Sequence, residues 1–232
     1  METNSLKLPV AGVVQAIIFV IVVPFLPLLI SQRWLWWAAW AFAVISVLGF
    51  AISRRLAAKR NPGLIEERAQ FMHHKDIKSW DKVMARLVGL SGAAVPLVAG
   101  LDARFEWSSP FGTWVNVIAL VILLIGYVVS SYALFENRFF SGVVRIQKER
   151  KHEVVSTGPY GLVRHPGYAG GLLVYLTVPF LLDSWWTCIP AAVFAVVIVV
   201  RTDLEDVTLH EELPGYRAYA DRVRFRLLPG VW

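Results

Sequence analysis

Thr113-Trp-Val-Asn-Val-Ile-Ala-Leu-Val-Ile-Leu-Leu-Ile-Gly-Tyr-Val-Val-Ser-Ser-Tyr-Ala-Leu-Phe135 runs from end to end without one charged side chain. A hydrocarbon core is crossed by about 20 such residues in a helix, so this stretch predicts a membrane span. Five further apolar segments flank it: Leu8 to Ile30, Trp34 to Ser53, Val83 to Leu101, Tyr168 to Leu182 and Trp185 to Val200. The last two are separated only by Asp183 and Ser184 and predict a tight helical hairpin. Pro24, Pro27, Pro96 and Pro179 fall inside these segments, where neighbouring helices can satisfy the backbone groups they free. The expected fold class is all-α, a polytopic membrane helical bundle of about six transmembrane helices.

Composition agrees. Of 232 residues, 56% are hydrophobic and 17% charged, and the mean hydropathy is +0.55. Soluble domains carry about a quarter charged residues. These figures exclude disorder, a disulfide scaffold and a water-soluble basic nucleic-acid binder. The lone Cys188 cannot close an intrachain disulfide. The first apolar run, with its two prolines and no clean small-residue cleavage site, does not read as a removable signal peptide.

The net charge of +6 is informative through its placement. Basic residues concentrate between Arg54 and Lys82, between Glu136 and Pro166, and in the tail from Arg201 onward, which together hold nineteen of the twenty-three Lys and Arg. The alternate loops hold only Arg33 and Arg104. By the positive-inside rule both termini and the two long loops are expected on the cytoplasmic side. Trp34, Trp36, Trp37, Trp40, Trp107, Trp114, Trp185 and Trp186 map to the opposite ends of the spans, where an interfacial aromatic belt belongs.

Content divides the chain into residues 1–135, mostly span and basic loop, and residues 136–232, which hold the concentrated polar chemistry. Gly158-Pro159 marks a turn. Pro166 keeps His165 out of helical geometry and suits the first turn of the next helix, so His165 and Tyr168 are expected at a loop-to-helix junction. After the sixth span, helical spacing aligns Arg201, Glu205, Leu209 and Glu212 on one face. That pattern is either an exposed ion pair worth little or a guanidinium and a carboxylate serving two ligands. His73-His74 has no partner at metal-ligand spacing, and no metal site is expected. A Gly-rich nucleotide fingerprint and a G-x-S-x-G elbow are both missing from the sequence.

In order, the chain holds Gly158-Pro159-Tyr160, Arg164-His165-Pro166-x-Tyr168-x-Gly170, Arg201-Thr-x-x-Glu205-Asp206-x-x-Leu209 and Gly215-Tyr216-x-x-Tyr219. This set resembles the isoprenylcysteine carboxyl methyltransferase family, membrane enzymes that use S-adenosylmethionine. The resemblance covers residues 136–232; the first 135 match only as a set of spans. Asp206 departs from the pattern, which usually has a second glutamate there.

The resemblance implies an S-adenosylmethionine pocket built by a cytoplasmic C-terminal loop and helix. Gln147, His152, Val154, Val155, Tyr160, His165, Pro166, Tyr168 and Glu205 would contact the cofactor. Arg201 would bind the acceptor and, with Glu205, carry the catalytic role. The acceptor implied is a lipophilic molecule or a prenylated cysteine, its tail entering sideways from the membrane lipids. Phospholipid amine or thiol methylation stays open, as does a non-enzymatic transporter or accessory role. A transporter would place charges along a path through the spans, whose interiors hold little besides Arg86 near one end.

Overall fold

The computed structural model describes residues 17–64, 74 and 76–232. Residues 8–16 of the first apolar segment, His73, and residues 65–73 and 75 of the first basic stretch lie outside these residues. Among the described residues the fold is carried by α1 (Val23–Ser31), continuous with a π-helical turn at Ile18–Val22, then α2 (Trp37–Arg60), α3 (Ser79–Phe105), α4 (Thr113–Glu136), α5 (Pro166–Leu181), α6 (Cys188–Glu212) and α7 (Tyr216–Arg222). Two 3-10 turns, Lys148–Arg150 and Gly158–Gly161, punctuate the long loop between α4 and α5. No strand occurs among the described residues, so the all-α helical-bundle expectation holds.

By length and composition α2, α3 and α4 can each cross a membrane, and Ile18–Ser31 and α5 are shorter apolar helices. The sixth apolar segment differs from its expected bounds. Its helix begins at Cys188, leaving Trp185 and Trp186 in the turn, and continues through the acidic patch to Glu212. One helix thus joins the apolar run to the Arg201–Glu205 motif and fixes their relative angle.

The core lies between α1, α2, α3, α4 and α5, around Leu28, Phe42, Val95, Leu123 and Val178. Helices α4 and α5 approach most closely. A Cβ on Gly126 would lie 2.8 Å from the Gly170 carbonyl oxygen, and one on Gly170 would lie 2.4 Å from Ser130 Oγ. Small residues at such a contact let two apolar helices associate through packing. The opposite face of α4 leaves Ile118, Val121, Ile125 and Val128 exposed, as a lipid-facing surface does.

The two ends of the bundle differ in chemistry. At one, Trp107 packs edge-on against Trp186 and Phe111 against Trp185. The predicted hairpin closes there through Asp183, which adopts a left-handed φ of 52° and accepts hydrogen bonds from the Phe111 amide and from Asn116 Nδ2. The long α4–α5 loop and the charged half of α6 meet at the other end.

Candidate functional site

The loop from Asn137 to His165 folds back over the last turns of α6 and over α7, leaving a half-open cleft with about 850 Å3 of free space counting its mouth. Backbone geometry holds the loop there. Gly158 has φ +56° and lies where a Cβ would be 3.0 Å from the Tyr132 hydroxyl; both features favour glycine. Pro166 opens α5 as its first residue. The amides of Arg164 and His165 donate to the carbonyls of Phe225 and Arg226, 2.9 Å each, which sews the loop to the C-terminal segment.

Of the predicted cofactor contacts, Gln147, His152, Val154, Val155, Tyr160, His165, Tyr168 and Glu205 all line this cleft. Pro166 does not; it is buried as the helix start. Arg201 is absent from the lining as well, although its guanidinium carbon lies 5.4 Å from the centre of the Tyr168 ring. Glu205 receives a hydrogen bond of 2.5 Å from the Tyr168 hydroxyl. His165 stacks parallel to Tyr168, with 5.9 Å between centroids, and its Nε2 is 3.1 Å from Asp206 Oδ1.

Two predicted residues are braces within the loop. Gln147 is 1% exposed; its Nε2 donates to the Phe139 carbonyl at 2.7 Å and its Oε1 accepts from Arg150. His152 Nδ1 accepts from the Gln147 amide at 3.3 Å, and its ring packs on Phe139 at 4.5 Å. Burial, and then the neighbouring cations Arg145 and Arg150, lower its pKa from 6.5 to about 4. The imidazole is therefore neutral at pH 7, with its proton on Nε2. The unfolded chain binds the extra proton between those two values, so this contribution to stability is complete above pH 6.5 and declines as pH falls toward 4. A melting-temperature scan of His152→Gln should lack that part of the wild-type acid slope.

Val154 and Val155 behave differently. Both are half-buried on the cleft wall, and neither their amides nor their carbonyls hydrogen-bond to any described residue. Backbone groups in that position are normally paired. An unpaired edge opposite a carboxylate and two tyrosines is a site shaped for a polar ligand.

The acidic pair after the sixth span divides its work. Glu205 faces the cleft, whereas Asp206, 1% exposed, turns away into a cluster of donors. It accepts from Arg164 Nε and Nη2 at 2.8 Å each, from Tyr216 at 2.8 Å and from Arg226 Nε at 2.9 Å. Burial works to raise its pKa, but the hydrogen bonds from His165 and Arg164 prevail and hold the carboxyl well below the usual range. The shorter acid, noted as a departure from the family pattern, therefore joins α6, α7, the loop and the C-terminal segment.

Arg201 is also engaged. Its Nε and Nη2 form a two-pronged pair with Asp81 at 2.7 and 3.0 Å, and Nη2 also donates to the Gly142 carbonyl at 2.9 Å. Asp81, fully buried near the start of α3, accepts the Val144 amide at 2.6 Å as well. No local pattern announces Asp81 in the sequence, since its partner is 120 positions away. Asn137, Phe139, Phe140 and Leu213 also line the cleft without a signal. Arg164, Leu209, Tyr216 and Tyr219 belong to the quoted motifs and line it too.

Residues 114–213 match the family described as phospholipid methyltransferase. A probable protein-S-isoprenylcysteine O-methyltransferase of Oryza sativa subsp. indica is 39% identical over 61 residues, covering 26% of this chain and 32% of the rice protein. Protein-S-isoprenylcysteine O-methyltransferase A of Arabidopsis thaliana is 30% identical over 88 residues, covering 38% of this chain and 42% of the relative. The corresponding Xenopus laevis protein is 36% identical over 59 residues, 25% of this chain and 20% of its own length. The chain thus spans less than half the length of the curated relatives it matches. The matched segment contains most of the cleft lining together with α5 and α6, and it is over this part that the chain is similar to the phospholipid and isoprenylcysteine methyltransferases.

Proposed function

We propose that the protein is an S-adenosylmethionine-dependent methyltransferase acting on a lipophilic acceptor at the cytoplasmic face of a membrane, and that the reaction is carboxyl O-methylation of an isoprenylcysteine-like molecule. The observation that carries this reading is the cleft wall itself: the unpaired backbone edge at Val154 and Val155 lies in the same cavity as Glu205 and the rings of Tyr160 and Tyr168. An adenine ring needs in-plane donors and acceptors, which the backbone edge offers. Amino and hydroxyl groups need an acceptor, which Glu205 offers. Aromatic faces accommodate a sulfonium cation.

When bound, S-adenosylmethionine supplies an activated methyl group on that sulfonium. The chain's task is to position and to exclude water. Tyr168, fixed by its bond to Glu205, holds one wall in place; orientation of this kind accounts for most of the barrier lowering available to an in-line displacement. A carboxylate acceptor is already ionised, so no general base is required. Arg201 stands beside Tyr168 with Nη1 unbonded to any described residue, which suits it to donate a hydrogen bond to the acceptor. The one-sided basic loops support a cytoplasmic site and cytoplasmic termini.

Purified protein in detergent should bind S-adenosylmethionine calorimetrically, and Glu205→Gln should weaken that binding about tenfold or more, the worth of a charge-assisted hydrogen bond. Absence of heat in the wild type removes the assignment. A labelled-donor screen of farnesylated cysteine analogues, phospholipid amines and alkyl thiols then identifies the acceptor. Base-labile label means a methyl ester; stable label on a phospholipid or thiol shifts the reading to amine or sulfur methylation.

A further inference from the structure

Asp81 lies in the first turn of α3 and is fully buried. An acid in that position has a local use, since it complements the helix dipole. Here both carboxylate oxygens are bonded outside their own helix. Oδ1 accepts from Arg201 Nε at 2.7 Å, and Oδ2 accepts from Arg201 Nη2 at 3.0 Å and from the Val144 amide at 2.6 Å. The start of α3 is anchored where these bonds form. The Lys78 amide donates to the Val144 carbonyl at 3.1 Å, and Lys78 Nζ pairs with Glu212 at the end of α6. Val144 itself lines the cleft. Asp81 falls outside residues 114–213 and belongs to none of the quoted motifs.

Arg201 is buried too, so water screens the two-pronged pair little, and one positive charge is cancelled by one negative charge. Nη1 keeps its protons without a partner among the described residues. What Arg201 presents beside the Tyr168 ring is therefore a hydrogen-bond donor with no net charge behind it. Three further guanidiniums around the cleft are matched as well, Arg145 by Asp76 and Glu149, and Arg164 and Arg226 by Asp206.

Methyl transfer to a carboxylate discharges it. A carboxylate oxygen forms the new O–CH3 bond as the C–S bond breaks onto sulfur; one negative and one positive charge cancel, and no proton moves. A bare cation beside that oxygen favours the fully charged acceptor over the half-discharged transition state. An interaction stronger in the ground state than in the transition state raises the barrier. An arginine whose charge is already cancelled orients the acceptor without that penalty.

We propose that Asp81 is a positioning residue for the methyl transfer: it fixes the Arg201 guanidinium and cancels its charge, so that Nη1 orients the acceptor carboxylate without quenching its nucleophilic oxygen. The inference rests on the methyltransferase reading above, with Arg201 serving the acceptor. Without the Asp81 charge the same guanidinium becomes a carboxylate trap, tight in binding and slow in transfer.

The test uses the full chain in phosphatidylcholine nanodiscs, with N-acetyl-S-farnesylcysteine and its methyl ester as probes. Binding is measured without methyl donor, and turnover with labelled S-adenosylmethionine. Wild type should bind acid and ester alike, because the site offers a hydrogen bond and no net charge. Asp81→Asn should bind the acid about tenfold or more tighter, the range of a hydrogen bond to a charged group, and the ester as before. Its KM for the acid and its kcat should both fall by about that factor, whereas a misfolded fraction lowers apparent kcat and leaves KM unchanged. Asp81→Glu, which retains the charge, should return both toward wild type. A wild-type preference for the acid of about tenfold or more overturns the inference, and this comparison decides it even where Asp81→Asn does not fold. Acid and ester weakened alike by Asp81→Asn, or acid binding indifferent to it, also overturns the inference, while label transfer by wild type leaves the methyltransferase reading standing. Acid binding that tightens in Asp81→Asn, with no label passed by wild type to any acceptor, removes the methyltransferase reading and keeps Asp81 as the group that sets the charge of the site.

Discussion

Asp206→Ala should destabilise the protein by about 3–5 kcal/mol, the cost of leaving buried charges without their counter-ion. Two guanidiniums, from Arg164 and Arg226, a tyrosine hydroxyl and an imidazole all converge on this one carboxylate. Removing it strands Arg164 and His165, which are 9% and 7% exposed. Unfolding in detergent, followed by circular dichroism, measures the loss. Asp206→Asn keeps the shape and two acceptor directions but not the charge, and should fall between wild type and alanine. Because the folded carboxyl is held below its ordinary value of 3.8, its contribution is complete above that pH and is lost only under stronger acid. The wild-type protein should therefore show no Asp206-dependent change in stability between pH 5 and 8. A fully stable Asp206→Ala protein would show that the cluster is solvated in solution.

The second large effect concerns Arg201 and Asp81. Arg201→Ala leaves the fully buried Asp81 carboxylate with only the Val144 amide among the described residues and should cost about 3–5 kcal/mol. Asp81→Ala should cost about as much, by stranding the guanidinium. The double replacement Asp81→Leu with Arg201→Met removes both charges together and should recover most of the stability. If Arg201 also donates to the acceptor, that refolded double variant binds S-adenosylmethionine like wild type and turns over no substrate. Equal turnover in the double variant would reduce Arg201 to an anchor of the loop through Gly142 and Asp81. The single variant cannot separate the two roles, because a protein that loses its fold also loses its activity.

The Arg201–Asp81 pair also shows where sequence reading stops. Arg201 and Glu205 stand one helical turn apart and face the same way in sequence, as two groups ready for two ligands. In the structure Glu205 takes the Tyr168 hydroxyl and Arg201 takes an acid from another helix. Sequence spacing carries angles along one helix but says nothing of what a different helix presents to it. His152 and Gln147 illustrate the same limit within a loop: the family resemblance implies their place at the cleft, while their bracing hydrogen bonds depend on how an irregular backbone closes. Arg54 counted in the sequence only toward topology; its lack of a partner became visible when the surrounding helices were in place.

The sequence by itself determined that this is a helical membrane protein, because runs such as Thr113–Phe135 have no alternative to a helix in hydrocarbon. It also determined which ordered motifs gather at the polar end, because turn and helix-start residues such as Gly158 and Pro166 act locally. Tertiary structure alone decided which charges are spent and which are available. Asp206 and Asp81 are consumed by arginines brought from distant segments, whereas Glu205, bonded to the Tyr168 hydroxyl, and the Val154–Val155 edge stay on the cleft wall, and Arg54 is left without an acidic partner among the described residues. The physical reason is that a charge in a low-dielectric interior is defined by its neighbours in space, and those neighbours are set by helix packing.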